Sequence, residues 1–243
     1  MSGLSRFLSV LRCFTEAKAN WTVPELAEAI GVPASTVYRT VRELVAQGFL
    51  EPSTEAHYRL GSAFIEFDRM IRLTDPLVKV GSPLLRDLVA EVRHPCVAVL
   101  ARLYGDRVIC AADERYDGAE LPTSYERGRP MPLTRGATSK TILSQLPGRR
   151  LKKLLADADA DAPAKLSGEL AAIRKRGHCI TRGEVDKGLV GIAVPVSNSE
   201  LAISASLSLV VSDATLDERL ERRLVLLLVS AADLLSQALR RLA

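Results

Sequence analysis

The sequence predicts an α+β protein: a winged helix-turn-helix at the N-terminus, then a larger part built from a sheet with flanking helices. Three observations carry this prediction. Apolar residues recur at helical spacing three times before residue 48. Two short strand-like segments follow at once. Beyond residue 95, alternating and helical patterns interleave, as in a sheet covered by helices.

Leu4, Phe7, Leu8, Leu11 and Phe14 share one helical face and predict the first helix. Thr22-Val-Pro-Glu25 reads as a capping box, with the Thr22 hydroxyl on the N3 amide and Glu25 reaching back to the Thr22 N–H. Leu26, Ala27 and Ile30 line the second helix, which ends at Gly31-Val32-Pro33. A third helix is predicted over 34–47. Its inner stripe is Ala34, Val37, Val41, Leu44 and Val45, and its outer stripe is Ser35, Tyr38, Arg39 and Arg42. Residues 49–51, a turn at 52–55 and residues 57–60 complete a hairpin, the wing. An amphipathic helix at 62–73 leads to the breaker Asp75-Pro76, which reads as the domain boundary.

A helix at 76–92 opens the second part, followed by strands at 96–103 and 107–113 around Tyr104-Gly105-Asp106. A loop containing Gly128, Pro130 and Pro132 leads to helices near 137–146 and 149–155. A surface loop is expected at 156–163, a helix at 166–176, and strands at 190–196 and 202–211. Thr215-Leu-Asp-Glu218 reads as a second capping box, opening a last helix that runs to about 242.

Composition narrows the function. The longest apolar run, 224–229, is far shorter than the roughly 20 residues a membrane helix needs, and the first residues do not read as a signal peptide. Cys13, Cys96, Cys110 and Cys179 are scattered without metal-ligand spacing, so reduced, mostly buried thiols are expected, and no metal or other cofactor. Residues 1–75 hold eight Lys or Arg against nine Asp or Glu. A nucleic-acid partner is therefore argued from local placement, not bulk charge.

That placement is specific. The second helix of a helix-turn-helix offers short polar side chains near its N-terminus to base edges and cations to phosphates. Ser35, Thr36, Tyr38 and Arg39 lie there, and an arginine can fork onto guanine O6 and N7. Thr40 and Arg42 fall on the flanks, His57 and Arg59 on the wing, and Thr22 joins the set at the start of helix two. The modest local charge favours a dimer that doubles the patch.

Catalytic signals fail one by one. Gly136-Ala-Thr-Ser-Lys140-Thr141 lacks the glycines of a phosphate loop. His57, His94 and His178 accompany no nucleophile elbow. Glu184 and Asp186 form an acid pair in a Gly-flanked loop, where acids are usually solvated. Ser204, Ser206 and Ser208 share one face of a strand. That face is either a buried hydroxyl row suited to a small anion or the wet side of a sheet, and spacing does not choose.

Two sets of motifs, in order along the chain, resemble the IclR-type bacterial transcription regulators. The first is Leu26-Ala-Glu-Ala-Ile-Gly-Val-Pro-Ala-Ser-Thr-Val-Tyr-Arg39 with Leu44-Val-Ala-Gln-Gly-Phe-Leu50 and Tyr58-Arg-Leu-Gly61. The second comprises Pro132-Leu133, Ser139-Lys140-Thr-Ile-Leu143, Ile173-Arg-Lys-Arg-Gly177, Glu184-Val-Asp-Lys-Gly188 and Gly191-Ile-Ala-Val-Pro195.

The resemblance implies a DNA-binding domain at 1–61, a linker helix at 62–75 and a GAF-like effector domain at 76–243. It implies a recognition helix at 35–42, operator DNA and a small acid as partners, a homodimer or homotetramer, no enzymatic activity, and a cytoplasmic protein on the nucleoid when DNA-bound. Carried over by position, the effector residues are Arg135, Ala137, Thr138, Thr181, Glu184, Gly191, Ser206 and Ser208. Ser139 stands where binders of very small oxo-acids carry glycine, Gly191 where a pocket cysteine is frequent, and Ser208-Leu-Val-Val211 where Ser-Gly-Pro is usual. These departures point to Arg135 as the carboxylate anchor and to a larger or more apolar acid.

Overall fold

The computed structural model describes residues 3–118, 120–156 and 162–242. The chain divides into two compact units, Met1–Leu73 and Thr74–Ala243.

The first unit contains α1 (Gly3–Arg12), β1 (Trp21–Thr22), α2 (Val23–Ile30), α3 (Ala34–Ala46), β2 (Leu50–Pro52), β3 (His57–Leu60) and α4 (Ala63–Thr74). Val10, Leu26, Val37, Val41, Leu44 and Leu50 form its core, so the three helices bury the faces their periodicity marked. The Thr22–Glu25 capping box is present, and Gly31 closes α2 in the left-handed region at φ 66°. Phe14 lies beyond the end of α1, and Ala34, read as inner, is exposed.

The antiparallel sheet runs β1-β3-β2. β1 is an addition to the expected wing: Trp21 and Thr22 pair with Tyr58 and His57. Gly61 crosses so close to the preceding turn that a Cβ there would lie 2.2 Å from the Gly48 carbonyl oxygen. Only glycine permits that approach. Phe64 and Phe67 of α4 pack on Phe49, at centroid distances of 5.6 and 5.9 Å.

The wing turns at 54–57, two residues later than expected, with His57 N–H donating to the Thr54 carbonyl. Glu55 and Ala56 both have positive φ, 56° and 59°. Hairpin turns of this hand are dominated by Asn and Gly. Ala56→Gly therefore raises the stability of the first unit by about 1 kcal/mol, read as a higher urea midpoint at unchanged slope. A lower midpoint would show that Ala56 is not strained.

The second unit contains α5 (Pro76–Val92), β4 (Cys96–Tyr104), β5 (Arg107–Arg115), β6 (Pro130–Met131), α6 (Ala137–Ser144), α7 (Gly148–Leu154), α8 (Ala162–Arg176), β7 (Cys179–Arg182), β8 (Leu189–Asn198), β9 (Ile203–Ser212) and α9 (Glu218–Arg240). Six antiparallel strands run β6-β5-β4-β9-β8-β7. α5 and α9 cover one face, with Leu85, Leu88, Leu224, Leu228 and Leu235 in the core. α6 and α8 cover the other, with Ile142, Leu143, Leu170 and Ile173.

β9 serves both faces. Ala205, Leu207, Leu209 and Val211 join the α5–α9 core, and Val210 the α6–α8 core. Alternation puts Ser206 and Ser208 on the α6 side, and both are fully buried. The wet-face reading of the serine row is thereby excluded for these two, while Ser204 is half-buried.

Four expectations are corrected. α9 is capped by Asp217, which accepts from the Leu220 amide, not by Thr215. The Thr215 hydroxyl is committed to the Ser212 carbonyl and His94 Nε2. β6 and β7 are strands where a loop, or nothing, was expected, each made by pairing with a longer neighbour. α8 starts at Ala162, so Pro163 is helical, while 157–161 of the expected 156–163 loop lie outside the described residues. Asp75 is more than a breaker: Oδ1 caps α5 on the Val78 amide, and Oδ2 accepts from Arg102 Nη1 at 3.0 Å.

Candidate functional site

The DNA-facing candidates divide sharply. α3 begins on Pro33 with no side chain capping it, which leaves a helix N-terminus available to a phosphate. Ser35, Arg39 and Arg42 are exposed, Thr36 is half-buried, and Tyr38 is 56% exposed although aromatic. Among the described residues neither Arg39 nor Arg42 has an ion-pair partner. Thr40 is a correction. It is 2% exposed, its hydroxyl donates to the Thr36 carbonyl, and it accepts from Arg6 Nε at 3.0 Å. It clamps α1 onto α3 and has no surface for DNA.

Thr22 is also occupied, its hydroxyl and amide both engaged by Glu25. The Lys18 ammonium, with help from Thr22, lowers the Glu25 carboxyl to about 2, and Lys18 also lies over the Trp21 ring. On the wing, His57 Nδ1 faces the Thr54 and Glu55 carbonyls, and Arg59 pairs with Glu51. Both wing pairings are exposed and therefore cheap to exchange for a phosphate.

The second constellation surrounds the N-terminus of α6. Gly136, at φ 83°, turns the chain so that its amide and that of Ala137 point out of the helix start. The Gly136 N–H donates to Glu184 Oε2 at 2.8 Å, and the Ala137 N–H to Thr181 Oγ1 at 3.0 Å. A negative group such as the Glu184 carboxylate is favoured here by the helix dipole and by amides that have no intrahelical acceptor.

Lys140, one turn along, gives its ammonium to Glu184 Oε1 at 2.7 Å and to Glu169 Oε2 at 2.8 Å, with its side chain 9% exposed. Burial alone would lower the Lys140 pKa, but the two glutamates outweigh it and raise it. Burial pushes the Glu184 carboxyl up, yet Lys140, the Gly136 amide and Arg135 outweigh it and hold it below the ordinary glutamate value.

Buried hydroxyls lie along α6 and on the strand face it covers. Thr138 Oγ1 donates to Ser208 Oγ at 3.1 Å. The hydroxyls of Ser206, Ser139 and Thr141 are buried with no hydrogen-bond partner. Gly191 leaves room opposite the helix start, since a Cβ there would meet the Ala137 Cβ at 3.4 Å. A small pocket of about 10 Å³ adjoins it, lined by Tyr125, Thr181, Glu184, Val185, Asp186, Leu189, Gly191 and Val210. Beside it, between α8 and β7, opens a cleft of about 460 Å³ lined by Lys140, Glu169, Ala172, Ile173, Ile180, Arg176, Thr181 and Glu184.

The α6 start thus gathers Ala137, Thr181, Glu184 and Gly191, with Thr138 and Ser208 joined just behind. Arg135 departs from expectation: it is exposed and folds its guanidinium onto the Glu184 carbonyl, so it steadies the 183–188 loop and is not poised over the cavity. The acid pair is divided in role. Asp186 is consumed by Thr123, by the Ser124 amide at 2.8 Å and by the Ser124 hydroxyl. Tyr125 and Glu169 were missed. Tyr125 sits in a loop without periodicity, and Glu169 is one acid of an ordinary helix. Burial pushes the Cys96 and Cys110 thiols to about 12 and Cys179 to about 11, so these three are inert, and all four cysteines are free.

A winged helix with an outward polar stripe, followed by an α/β domain with its sheet covered on both faces, defines a class of DNA-binding regulators. The chain belongs to the IclR family of bacterial transcriptional regulators: the IclR helix-turn-helix domain matches residues 3–53 and the IclR C-terminal domain residues 74–237.

Among curated relatives, the HTH-type transcriptional regulator KipR of Bacillus subtilis is 26% identical over 83% of this chain and 82% of its own. The Pca regulon regulatory protein of Pseudomonas putida is 25% identical over 98% and 84%. Of solved structures, the IclR regulator of Alicyclobacillus acidocaldarius superimposes with a TM-score of 0.81 at 22% identity, covering 97% of each chain. An IclR homolog from Microbacterium hydrocarbonoxydans, complexed with 4-hydroxybenzoate, gives 0.79 at 22%, covering 99% of this chain and 100% of that one. The family is one of DNA-binding transcriptional regulators, which are not enzymes.

Proposed function

We propose that this protein represses a catabolic operon and that a small organic or aromatic acid, bound in the second unit, changes its operator affinity. The observation that carries the DNA half is the exposed stripe Ser35, Tyr38, Arg39 and Arg42, with half-buried Thr36, on α3 with its uncapped start, flanked by His57 and Arg59 on the wing. Arg39 reads a base edge, and Arg42 and the wing hold phosphates. Residues 1–61 bind DNA, α4 links, and 76–243 sense the acid.

The acid half is supported by the donors and hydroxyls at the α6 start, at Ala137, Thr138, Thr181, Glu184, Gly191 and Ser208, with Ser206 further along the same strand face, and by a relative whose solved complex contains an aromatic acid. The protein acts as a homodimer, and pairs of dimers make a homotetramer. Leu4 and Ile65, 72% and 75% exposed, with Leu8, Phe67 and Ile71, are apolar side chains on α1 and α4 that a second copy would cover. A two-fold dimer seeks half-sites about 34 Å apart or multiples of that distance. It works in the cytoplasm, on the nucleoid when DNA-bound; no helix among the described residues is long and apolar enough to cross a membrane. Regulation is a population shift, so DNA and acid alter each other's affinity by the same factor.

The test is fluorescence anisotropy with the DNA upstream of the protein's own gene, at two salt concentrations and against an unrelated duplex. Binding that survives competition and weakens steeply with salt is expected. Binding no tighter than to the competitor, there and in a genome-wide site selection, would overturn the reading.

A further inference from the structure

We infer that Glu184 is an internal occupant of the acid site, and that an acidic effector enters by displacing the Glu184 carboxylate from the start of α6. The inference rests on the proposed reading of the second unit and adds how the site is kept closed.

Space is the first argument. The small pocket beside the α6 start has room for about one water and none for a carboxylic acid. The donors are the second. The Gly136 amide and the Lys140 ammonium, which an incoming carboxylate needs, are both taken by Glu184, at 2.8 and 2.7 Å. An unspent donor remains in the same turn: the buried Ser139 hydroxyl has no partner.

The third argument is what lies behind Glu184. Thr181 and Glu184 are the two residues that line both the small pocket and the 460 Å³ cleft. They are the partition between them. Withdrawing the Glu184 side chain joins the two spaces and gives an aromatic or branched acid an apolar wall of Ala172, Ile173 and Ile180. The fourth is that the exchange is electrically neutral. Lys140 loses one carboxylate and gains another, and keeps Glu169 throughout. Gly183 and Gly188, at φ 63° and 75°, bound the segment that has to move.

Displacement predicts a selectivity. A monoanionic carboxylate replaces Glu184, and a neutral isostere has no charge to offer Lys140. The experiment uses the full chain as wild type, Glu184→Gln and Glu184→Ala, titrated calorimetrically with benzoate, acetate and pyruvate, with benzamide as the neutral probe. Benzoate is expected to bind both variants at least tenfold more tightly than wild type, because the competitor is gone, and benzamide is expected to show no such gain.

Unchanged or weaker benzoate binding in the variants, with binding to wild type intact, overturns the displacement and leaves the acid-sensing reading standing. Silence of all three acids on all three proteins overturns that reading together with the displacement. Should the variants fold poorly, hydrogen exchange on wild type decides. Benzoate should speed exchange across 183–188 while the Gly136 amide stays protected, and slowed exchange across the loop overturns the proposal.

Discussion

Replacing Arg39 by alanine weakens operator binding by about 1–3 kcal/mol, roughly a ten- to hundredfold loss, and flattens discrimination at one base pair. Arg39 is exposed on the second turn of α3 and among the described residues spends nothing on an internal ion pair, so the loss falls on binding and not on folding. Competition titrations against operators mutated one position at a time read both effects. A uniform loss over all sequences, with a shallower salt slope, would make Arg39 a phosphate contact instead. Thr40→Val separates the two faces of the same helix. It strips Arg6 of its partner and lowers stability, and leaves specificity untouched.

Lys140→Met destabilises the second unit by about 3 kcal/mol at neutral pH, the lower end of what breaking a buried pair costs, because both carboxylates keep some contact with water. The pH dependence has a definite sign. In the wild type the folded Glu184 carboxyl lies below its unfolded value of 4.5. Its contribution is therefore present above pH 4.5 and lost as pH falls through the folded value. Without Lys140, only the Gly136 amide and Arg135 oppose burial, so the carboxyl lies higher than in the wild type and the variant is relieved when it is protonated. Urea unfolding at pH 7 and pH 4 should show the deficit shrinking on acidification. An equal deficit at both would mean that Lys140 contributes packing alone.

What local pattern controls was readable. The outer stripe of α3, the Thr22–Glu25 box and the Gly31 stop depend on contacts within four residues, and each stands in the structure as expected. What pairing controls was not. β1 is two residues long and exists because Tyr58 and His57 offer it a ladder; β7 likewise depends on β8. The α9 cap failed through competition. Thr215 and Asp217 each carry an acceptor oxygen, and Ser212 and His94 captured the threonine.

The ligand-facing site shows the same limit. Strand parity placed Ser206 and Ser208 together, but only the helix packed on that face decided that they are dry. The Lys140–Glu184 pair joins residues 44 apart, and no local period announces it. The Arg135 contact was not legible because its partner is a main-chain carbonyl, which has no letter of its own in a sequence.

The two-faced construction of β9 bears on how such a protein diversifies. Its odd positions, 205, 207, 209 and 211, fasten the sheet to α5 and α9, while 206 and 208 look toward α6. Under the proposed reading, inheritance can act on these two sets separately. Point changes at the even positions retune what the descendant senses, and the odd positions carry the architecture forward unaltered. A lineage can thus acquire a new chemical signal one codon at a time, without passing through an unfolded ancestor.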